Sequence, residues 1–343
     1  MIKAPDTSTK SRTGIKVIVV GAGFGGLTAA IECHLQGHDV IVLEAVRELK
    51  PYGDIISFGS NAGRIFGSWS KGYMLKSFLG NLHYYHYFDI RRYDGVKIVK
   101  QPPPDRIADA PTINGHRGEM HMMVYHYAKD ILGIEVRTGS RVDKYFEDES
   151  GAGVELASGE RITGDVVIGS DGVRSKAREQ VLGYFDKPRS SGYAVFRTHF
   201  PAYDMLDDDL TKEFVDYGDT FTGWAGPHVH FLFLSSKGGK EASWFLTHKV
   251  RSPLYLLIQD DADIEESWSF PGKVEDALEV VKDWDPICAA LIKKTPPDAI
   301  IDFKLVYRDP LPTWISKNGR TALLGDAAHP FLPTSVRRCL HYY

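Results

Sequence analysis

Three glycines near the amino terminus form the first group of residues whose spacing could do chemistry. Gly21, Gly23 and Gly26 follow the apolar run at 16–20 and precede a helical pattern over 27–36. In this spacing the first glycine allows a tight turn, and the second lets the backbone approach a pyrophosphate. The third lets the helix pack closely on the strand, so the pattern predicts a dinucleotide site at a helix amino terminus.

An acidic residue completes this unit. Glu44 ends the second apolar strand, 39–44, and can accept hydrogen bonds from ribose hydroxyls. A carboxylate at this place repels a 2′-phosphate, so the pattern favours FAD or NAD over NADP. A glycine-rich turn that binds nothing is the alternative, and the surrounding strand–turn–helix context argues against it.

The elements that must position this site recur later in the chain. Residues 165–172 and 321–330 each predict a buried strand that runs into a tight turn, whereas residues from about 186 alternate between apolar and polar. The order of unit, sheet and unit predicts an α/β fold. It consists of a discontinuous, doubly wound dinucleotide-binding domain with an inserted, mostly antiparallel β-sheet domain.

The predicted domain division follows this order. The dinucleotide-binding domain takes residues 14–80, 106–185 and 309–343, an aromatic and basic segment near the substrate side takes 81–105, and the inserted domain, which is expected to hold the substrate, takes 186–308.

Composition excludes several classes of protein. The 343 residues hold 41 Lys and Arg against 45 Asp and Glu, a net charge of −4, which offers no basic excess for nucleic acid. The three cysteines fit no zinc or disulfide pattern and favour a reducing compartment. No histidine pattern predicts a metal, and no signal peptide or apolar run of about 20 residues is seen. We therefore expect a cytoplasmic protein without stable membrane insertion.

Three segments together resemble the FAD-dependent monooxygenases of the aromatic hydroxylase type. These segments are GAGFGGLTAAIECHLQGHDVIVLE, VVIGSDGVRSKAR (166–178) and ALLGDAAHPFLP (322–333). The family is the salicylate-hydroxylase-like group A, in particular its fungal biosynthetic members, and the resemblance covers residues 15 to about 335. It implies FAD as cofactor and NADH or NADPH as a transient co-substrate.

The resemblance also implies which residues hold the cofactor. Asp171 would brace the pyrophosphate region, Asp326 would take the ribityl hydroxyls, and Arg117 would reach the flavin and its phosphates; helix capping or turn bracing is the alternative for the two aspartates. The full set of expected FAD-binding residues is Gly21, Gly23, Gly26, Glu44, Gly53, Ser57, Arg117, Asp171, Gly172, Gly325, Asp326 and Pro330.

The substrate side has three candidate catalytic residues. In related enzymes an arginine at the place of Arg197 holds the phenolate of the substrate, and a solvated or salt-bridged arginine is the alternative. The family often has a tyrosine near the place of Leu234, which cannot donate a hydrogen bond. Substrate activation would then rely on Arg197, or on Tyr193 and His199.

The function implied is hydroxylation of an aromatic or polycyclic small molecule with O2, in secondary metabolism. Two alternatives stay open. One is a flavin-dependent epoxidase or oxidase on the same fold. The other is an inactive FAD-binding fragment, because residues 336–343 read VRRCLHYY where the family continues with a glycine-containing turn and a helix. The tail therefore predicts a C-terminally truncated member, and the sequence leaves the oligomeric state open.

Overall fold

The fold comprises seventeen strands and seven α-helices within the residues described by this computed structural model, which are 6–51, 53–78, 85, 87–102, 111–249 and 271–330. The strands are β1 Lys16–Val20, β2 Asp39–Leu43, β3 Ile55–Phe58, β4 Phe88–Arg92, β5 Lys97–Gln101, β6 Ile113–His116, β7 Glu135–Arg137, β8 Val142–Glu147, β9 Ala152–Leu156, β10 Arg161–Gly164, β11 Val166–Gly169, β12 Arg189–Pro201, β13 Phe221–Ala225, β14 His230–Ser236, β15 Glu241–Lys249, β16 Ile301–Tyr307 and β17 Thr321–Leu323.

The α-helices have between 6 and 12 residues. They are α1 Phe24–Leu35, α2 Ser60–Ser68, α3 Tyr73–Phe78, α4 Arg117–His126, α5 Ala177–Leu182, α6 Val274–Val280 and α7 Pro286–Lys293. Four short 3-10 turns are Trp69–Gly72, Tyr203–Met205, Lys212–Phe214 and Gly325–Ala327, and a π-helical turn, Tyr127–Ile131, continues α4.

A five-stranded parallel sheet in the order β17-β11-β1-β2-β7 forms the centre of the predicted nucleotide unit. Alternate residues of β1 enter two cores: Val17 and Val19 pack with α1 and α4, and Ile18 and Val20 face the antiparallel sheet β10-β9-β8. Because both faces are covered, the central strands are apolar on both sides. The short strand β7 pairs with β2 in parallel at the edge of the sheet.

The second large sheet is seven-stranded, in the order β16-β12-β15-β14-β13-β4-β5, and every neighbouring pair except β13–β4 is antiparallel. One of its faces forms a core with α6 and α7 that contains Phe196, Trp224 and Trp244. The fold class is thus confirmed: an α/β nucleotide unit carries an inserted, mostly antiparallel sheet. The hairpin β4–β5 joins this sheet from earlier in the chain. The domain division, including the segment 81–105, stays a prediction.

Some expectations fall outside the described residues. The tail at 336–343 lies there, as do the last three residues of the third motif. Within the described part of the chain, no helix is long and apolar enough to cross a membrane. In the same residues, no three His, Cys, Asp or Glu side chains lie close enough together to hold a metal ion.

Asp285 joins the inserted sheet to α7. Its Oδ1 accepts a hydrogen bond from the Ile287 amide at 3.1 Å, which caps the helix, and its Oδ2 accepts one from Trp224 Nε1 at 2.9 Å. We predict that Asp285→Ala lowers the free energy of unfolding by about 2–4 kcal/mol, because the cap is lost and a buried indole N–H has no partner.

Chemical denaturation with tryptophan fluorescence measures this change. The matched control is Glu279→Ala on the neighbouring helix, where the Glu279–Lys282 pair is more than half exposed on both sides. We expect less than about 1 kcal/mol for the control. Equal effects of the two substitutions would show that Asp285 is not the connection described here.

Candidate functional site

Three turns meet at one edge of the parallel sheet. The Gly21–Gly26 turn follows β1, the Asp171–Gly172 turn follows β11, and the Gly325–Asp326 turn follows β17. These strands are direct neighbours, and the Leu324 amide donates to Gly169 O at 2.9 Å. Because the carboxyl ends of parallel strands lie on the same side, all three sequence motifs face one crevice, the usual ligand site of an open α/β sheet.

At two of the three glycines of this turn, the packing of the chain leaves no room for a side chain. A Cβ on Gly21, whose φ is +100°, would lie 2.3 Å from Ser170 O. A Cβ on Gly26 would lie 2.0 Å from Gly21 O. Gly23 differs, because a Cβ there would meet nothing within 4 Å. Gly23 therefore leaves open space beside α1, as the approach of a ligand requires.

The amino terminus of α1 fits an anionic ligand. Gly23 is its N-cap residue, with no side-chain hydrogen bond at the cap and no acidic residue in the first turn. The first amide groups of a helix lack partners within the helix and carry partial positive charge. A pyrophosphate such as that of FAD is the kind of group that satisfies them.

Glu44 lies beside this turn. Its Oε2 accepts a hydrogen bond from the Ala22 amide at 2.8 Å, and its Oε1 accepts one from the Val46 amide at 2.9 Å. The carboxylate thus braces the turn. A carboxylate can accept about four hydrogen bonds, so capacity remains for ribose hydroxyls, and that role stays a prediction.

Asp171 combines turn bracing with an unsatisfied oxygen. Its Oδ2 accepts hydrogen bonds from Tyr145 Oη at 2.8 Å and from the Lys176 and Ala177 amides at 2.9 and 3.3 Å. Burial, and then the charge of Asp171, raise the pKa of Tyr145 well above its usual value, so the phenol remains a donor.

Asp171 Oδ1 is buried without a hydrogen-bond partner among the described residues. An orphan acceptor at this edge of the sheet fits a ligand that brings hydroxyl donors. Gly172 has φ +81° and open space around it.

Buried arginines hold the Gly325–Asp326 turn. Arg178 is 1% exposed and donates from Nη1 to Ala327 O at 2.8 Å and to Ala328 O at 3.2 Å. The same guanidinium pairs with Asp186, which also pairs with Arg308. Asp186 and Arg308 lie where the chain leaves and re-enters the nucleotide unit. This arrangement ties the inserted sheet to the turn.

Three residues predicted to bind the cofactor lie in this turn or just after it. Gly325 has φ +62°, Asp326 is half-buried, and Pro330 is buried. Their predicted contacts with the cofactor stay predictions.

The two-stranded ladder β3–β6 brings the next predicted residues together. Gly53 has φ +138°, and a Cβ on it would lie 3.1 Å from Arg117 Cβ. The Arg117 amide donates to Asp54 O at 2.6 Å. Ser57 lies farther along β3, opposite Asn114, and is exposed. Gly53 and Arg117 thus lie in contact, and the predicted role of Ser57 stays a prediction.

Tyr193, Arg197 and His199 lie on one face of β12. The intervening residues Phe196 and Thr198 are buried on the other face, so strand alternation assigns the two sets. The face that carries the three candidates points to the nucleotide unit.

Arg197 forms a buried ion pair across the two units. Its Nη2 lies 2.6 Å from Asp54 Oδ2, and the two side chains are 12% and 7% exposed. Burial lowers the pKa of Arg197, which Asp54 opposes. Burial raises the pKa of Asp54, which Arg197 and then Arg117 oppose. The salt-bridged alternative considered for Arg197 is therefore present, and its partner stands next to the Gly53 turn.

His199 is held at both ring nitrogens. Nδ1 lies 2.8 Å from Ser243 Oγ, Nε2 lies 3.3 Å from Glu241 Oε2, and the ring lies tilted against that of His116 with 4.9 Å between the ring centres. Lys237 adds a second bridge, with Glu119 at 2.8 Å and Glu241 at 3.0 Å. The start of α4 is thereby fixed against the sheet, and His199 serves this contact.

Sequence reasoning missed Asp54 and Ser170. Asp54 follows Gly53 directly, and an acidic residue beside a predicted FAD-binding glycine was the available signal. Ser170 precedes Asp171, and its Oγ donates to Val20 O at 2.7 Å and to Gly21 O at 3.1 Å. Nothing in a single sequence joins positions 149 residues apart, so that contact had no signal.

Substitution of Gly23 and of Gly26 distinguishes a glycine that ligand binding needs from one that folding needs. We predict that Gly23→Ala shifts the melting temperature of the apoprotein by less than about 3 °C, yet raises the Kd for FAD about tenfold, since its methyl group enters the open space. Gly26→Ala should lower the melting temperature by at least about 6 °C, because its methyl group meets a backbone carbonyl. Thermal melts and flavin fluorescence titration measure both; unchanged FAD affinity in Gly23→Ala would contradict the assignment.

Comparison with known proteins identifies the cofactor. A family model described as an FAD binding domain matches residues 16–51. Asperlicin C monooxygenase of Petromyces alliaceus is 37% identical, over 96% of this chain and 71% of that protein. An FAD-dependent monooxygenase of Hypoxylon pulicicidum, nodY2, is 33% identical, over 96% of this chain and 73% of that protein.

Solved structures agree. FqzB is 34% identical with a TM-score of 0.81, over 96% of this chain and 73% of that chain. CtdE in complex with FAD and substrate 4 is 30% identical with a TM-score of 0.82, over 93% and 76%. A salicylate hydroxylase substrate complex is 21% identical with a TM-score of 0.73, over 94% and 75%, and shares the fold. With these relatives and the three turns on one edge of its sheet, the chain is a flavoprotein enzyme that belongs to the fungal FAD-dependent monooxygenases of the aromatic hydroxylase type.

Proposed function

We propose that this enzyme uses NADH or NADPH and O2 to hydroxylate an aromatic or polycyclic small molecule, in secondary metabolism. One observation carries the proposal. Among the described residues, the face of the inserted sheet that points to the FAD unit combines aromatic and aliphatic side chains with the buried ion pair Asp54–Arg197.

The apolar part of this face follows from strand register. Phe221 pairs with Phe88, and Leu232 pairs with Phe245, which itself pairs with Arg197. All four apolar side chains are half-buried, and the Phe88 and Phe221 rings pack edge to face at 4.5 Å. Such a surface suits a flat, apolar ligand, since aromatic rings gain from edge and offset contacts as well as from burial.

FAD, when bound, would take two electrons from NADH or NADPH and pass them to O2, of which one oxygen atom enters the substrate and the other leaves as water. The chain's part is to bind this cofactor at the three turns, to exclude water with the apolar sheet face, and to orient the substrate. The Arg197 guanidinium can donate several hydrogen bonds in a fixed plane, which suits a phenolate or another anionic oxygen.

Asp54 prepares Arg197 for this role. Without substrate, the carboxylate offsets the desolvation of this buried guanidinium. Tyr193 offers a hydroxyl donor on the same face, whereas the His199 ring contacts Ser243 and Glu241.

In this proposal the nicotinamide nucleotide has no binding domain of its own. The sequence holds a single strand–glycine-turn–helix unit, which the FAD occupies, so NADH or NADPH would bind transiently. The Glu44 carboxylate discriminates against a 2′-phosphate at the FAD turn only, and the choice of NADH or NADPH depends on other residues.

Isotope labelling tests the reaction. The FAD-loaded enzyme is incubated with NADH or NADPH, ¹⁸O2 and a panel of phenolic and indole compounds, and the products are analysed by mass spectrometry. The proposal expects substrate-stimulated nicotinamide consumption and one ¹⁸O atom per product. Oxidised product without the label would favour the oxidase alternative, and nicotinamide consumption that no compound stimulates would contradict substrate hydroxylation.

Arg197→Met tests the ion pair. Because this position faces the substrate side, we predict that product formed per bound flavin falls at least about tenfold, with the FAD content unchanged. The matched control is Arg92→Met on the same sheet, where the guanidinium is 54% exposed and pairs with Asp94; it should retain full turnover. A variant that loses flavin but keeps its turnover per bound flavin would assign Arg197 to the cofactor or the fold.

A further inference from the structure

We infer that His121 is a positioning residue for FAD, which fixes the orientation of the Ala22 peptide group in the glycine turn. His121 Nε2 lies 2.6 Å from Ala22 O, and no sequence motif points to this side chain. The inference deepens the proposed function and rests on it in one respect, namely that the Gly21–Gly26 turn carries FAD.

Ala22 is held from both sides. Its amide donates to Glu44 Oε2 at 2.8 Å, and its carbonyl oxygen lies within hydrogen-bond distance of the imidazole. The residue is 1% exposed and stands between Gly21 and Gly23, which have no side chains to restrict the backbone. The two hydrogen bonds therefore set the direction of the amides that follow, and these amides begin α1.

The imidazole is itself well restrained. His121 lies on α4, one turn after Arg117, so both side chains project from the same face of the helix. Phe24, the first residue of α1, packs edge to face against the ring at 5.3 Å, and Phe58 packs in the same way against Phe24 at 5.0 Å. A ring fixed by these contacts can hold a peptide group in one orientation.

The charge state of the ring follows from its surroundings. Burial is the main cause that lowers the pKa of His121, and the positive charge of Arg117 on the same helix lowers it further. The hydrogen bond to Ala22 and the charge of Glu44 act in the opposite direction. With its pKa below the ordinary 6.5, the ring is neutral at pH 7 and above, with Nε2–H as the donor.

This lowered pKa has a consequence for stability. The unfolded chain binds a proton at this histidine below about pH 6.5, and the folded chain does so only at lower pH. The contribution is therefore complete above pH 6.5 and is lost as the pH falls through the window between the two pKa values. The stability of the apoprotein should decline in that window.

Three variants test the role. His121→Phe keeps an aromatic ring against Phe24 and removes the donor, His121→Gln keeps an amide donor near the position of Nε2, and His126→Phe is the control on the same helix. His126 is 57% exposed and pairs with Asp130 at 2.6 Å. The Kd for FAD is measured at pH 8 by flavin fluorescence with the apoprotein, alongside thermal melts from pH 5 to pH 8.

The expected result is a Kd about tenfold higher in His121→Phe, within about threefold of wild type in His121→Gln, and unchanged in His126→Phe. The acid decline of the melting temperature should weaken in His121→Gln and persist in the control. Should His121→Phe not fold, His121→Asn replaces it, because its amide is too short to reach Ala22. A wild-type Kd in the donor-free variant overturns this inference alone. A wild-type chain that binds no FAD contradicts the proposed function as well.

Discussion

The close approach of β1 and β11 at their carboxyl ends is the constraint on which the site depends. Ser170 donates to Val20 O and Gly21 O, and its own carbonyl occupies the space that a side chain on Gly21 would need. Two strands can approach so closely only if the turn lacks a Cβ at Gly21 and Gly26. The same constraint leaves the α1 amides and Gly23 open to a ligand, so the requirement of packing and the requirement of binding are met by different glycines.

Polar contacts between two apolar cores complete the site. The core of the nucleotide unit and the core of the inserted sheet are separate clusters, and the contacts between the units include Asp54–Arg197, His116–His199 and Glu119–Lys237. A buried ion pair costs desolvation and is weak evidence for stability, but it specifies which groups must face each other. Here it sets Arg197 beside the Gly53 turn. A cation on an otherwise apolar face then has a fixed place relative to the cofactor.

Local pattern was sufficient for part of this architecture. The strand–turn–helix unit at 16–44 and the strands before Asp171 and Asp326 could be predicted, because each depends on neighbours in sequence. The parallel pairing of β7 could not be predicted, since a short strand of mixed polarity has no periodicity that indicates which strand it pairs with. That Asp54 pairs with Arg197 could not be predicted either: whether a cation in a strand meets solvent or an anion depends on a contact between distant segments. His121 went unassigned because its partner is a backbone carbonyl, which no residue type reveals.

The central claim is that three turns from distant parts of one chain form a single FAD site. The most direct measurement is the absorption spectrum of the purified 343-residue protein after incubation with FAD and gel filtration. The structure predicts one FAD per chain, with a flavin spectrum that is shifted from that of free FAD and bleached by NADH or NADPH under anaerobic conditions. Protein that elutes colourless, with all flavin in the small-molecule fraction, would contradict the account.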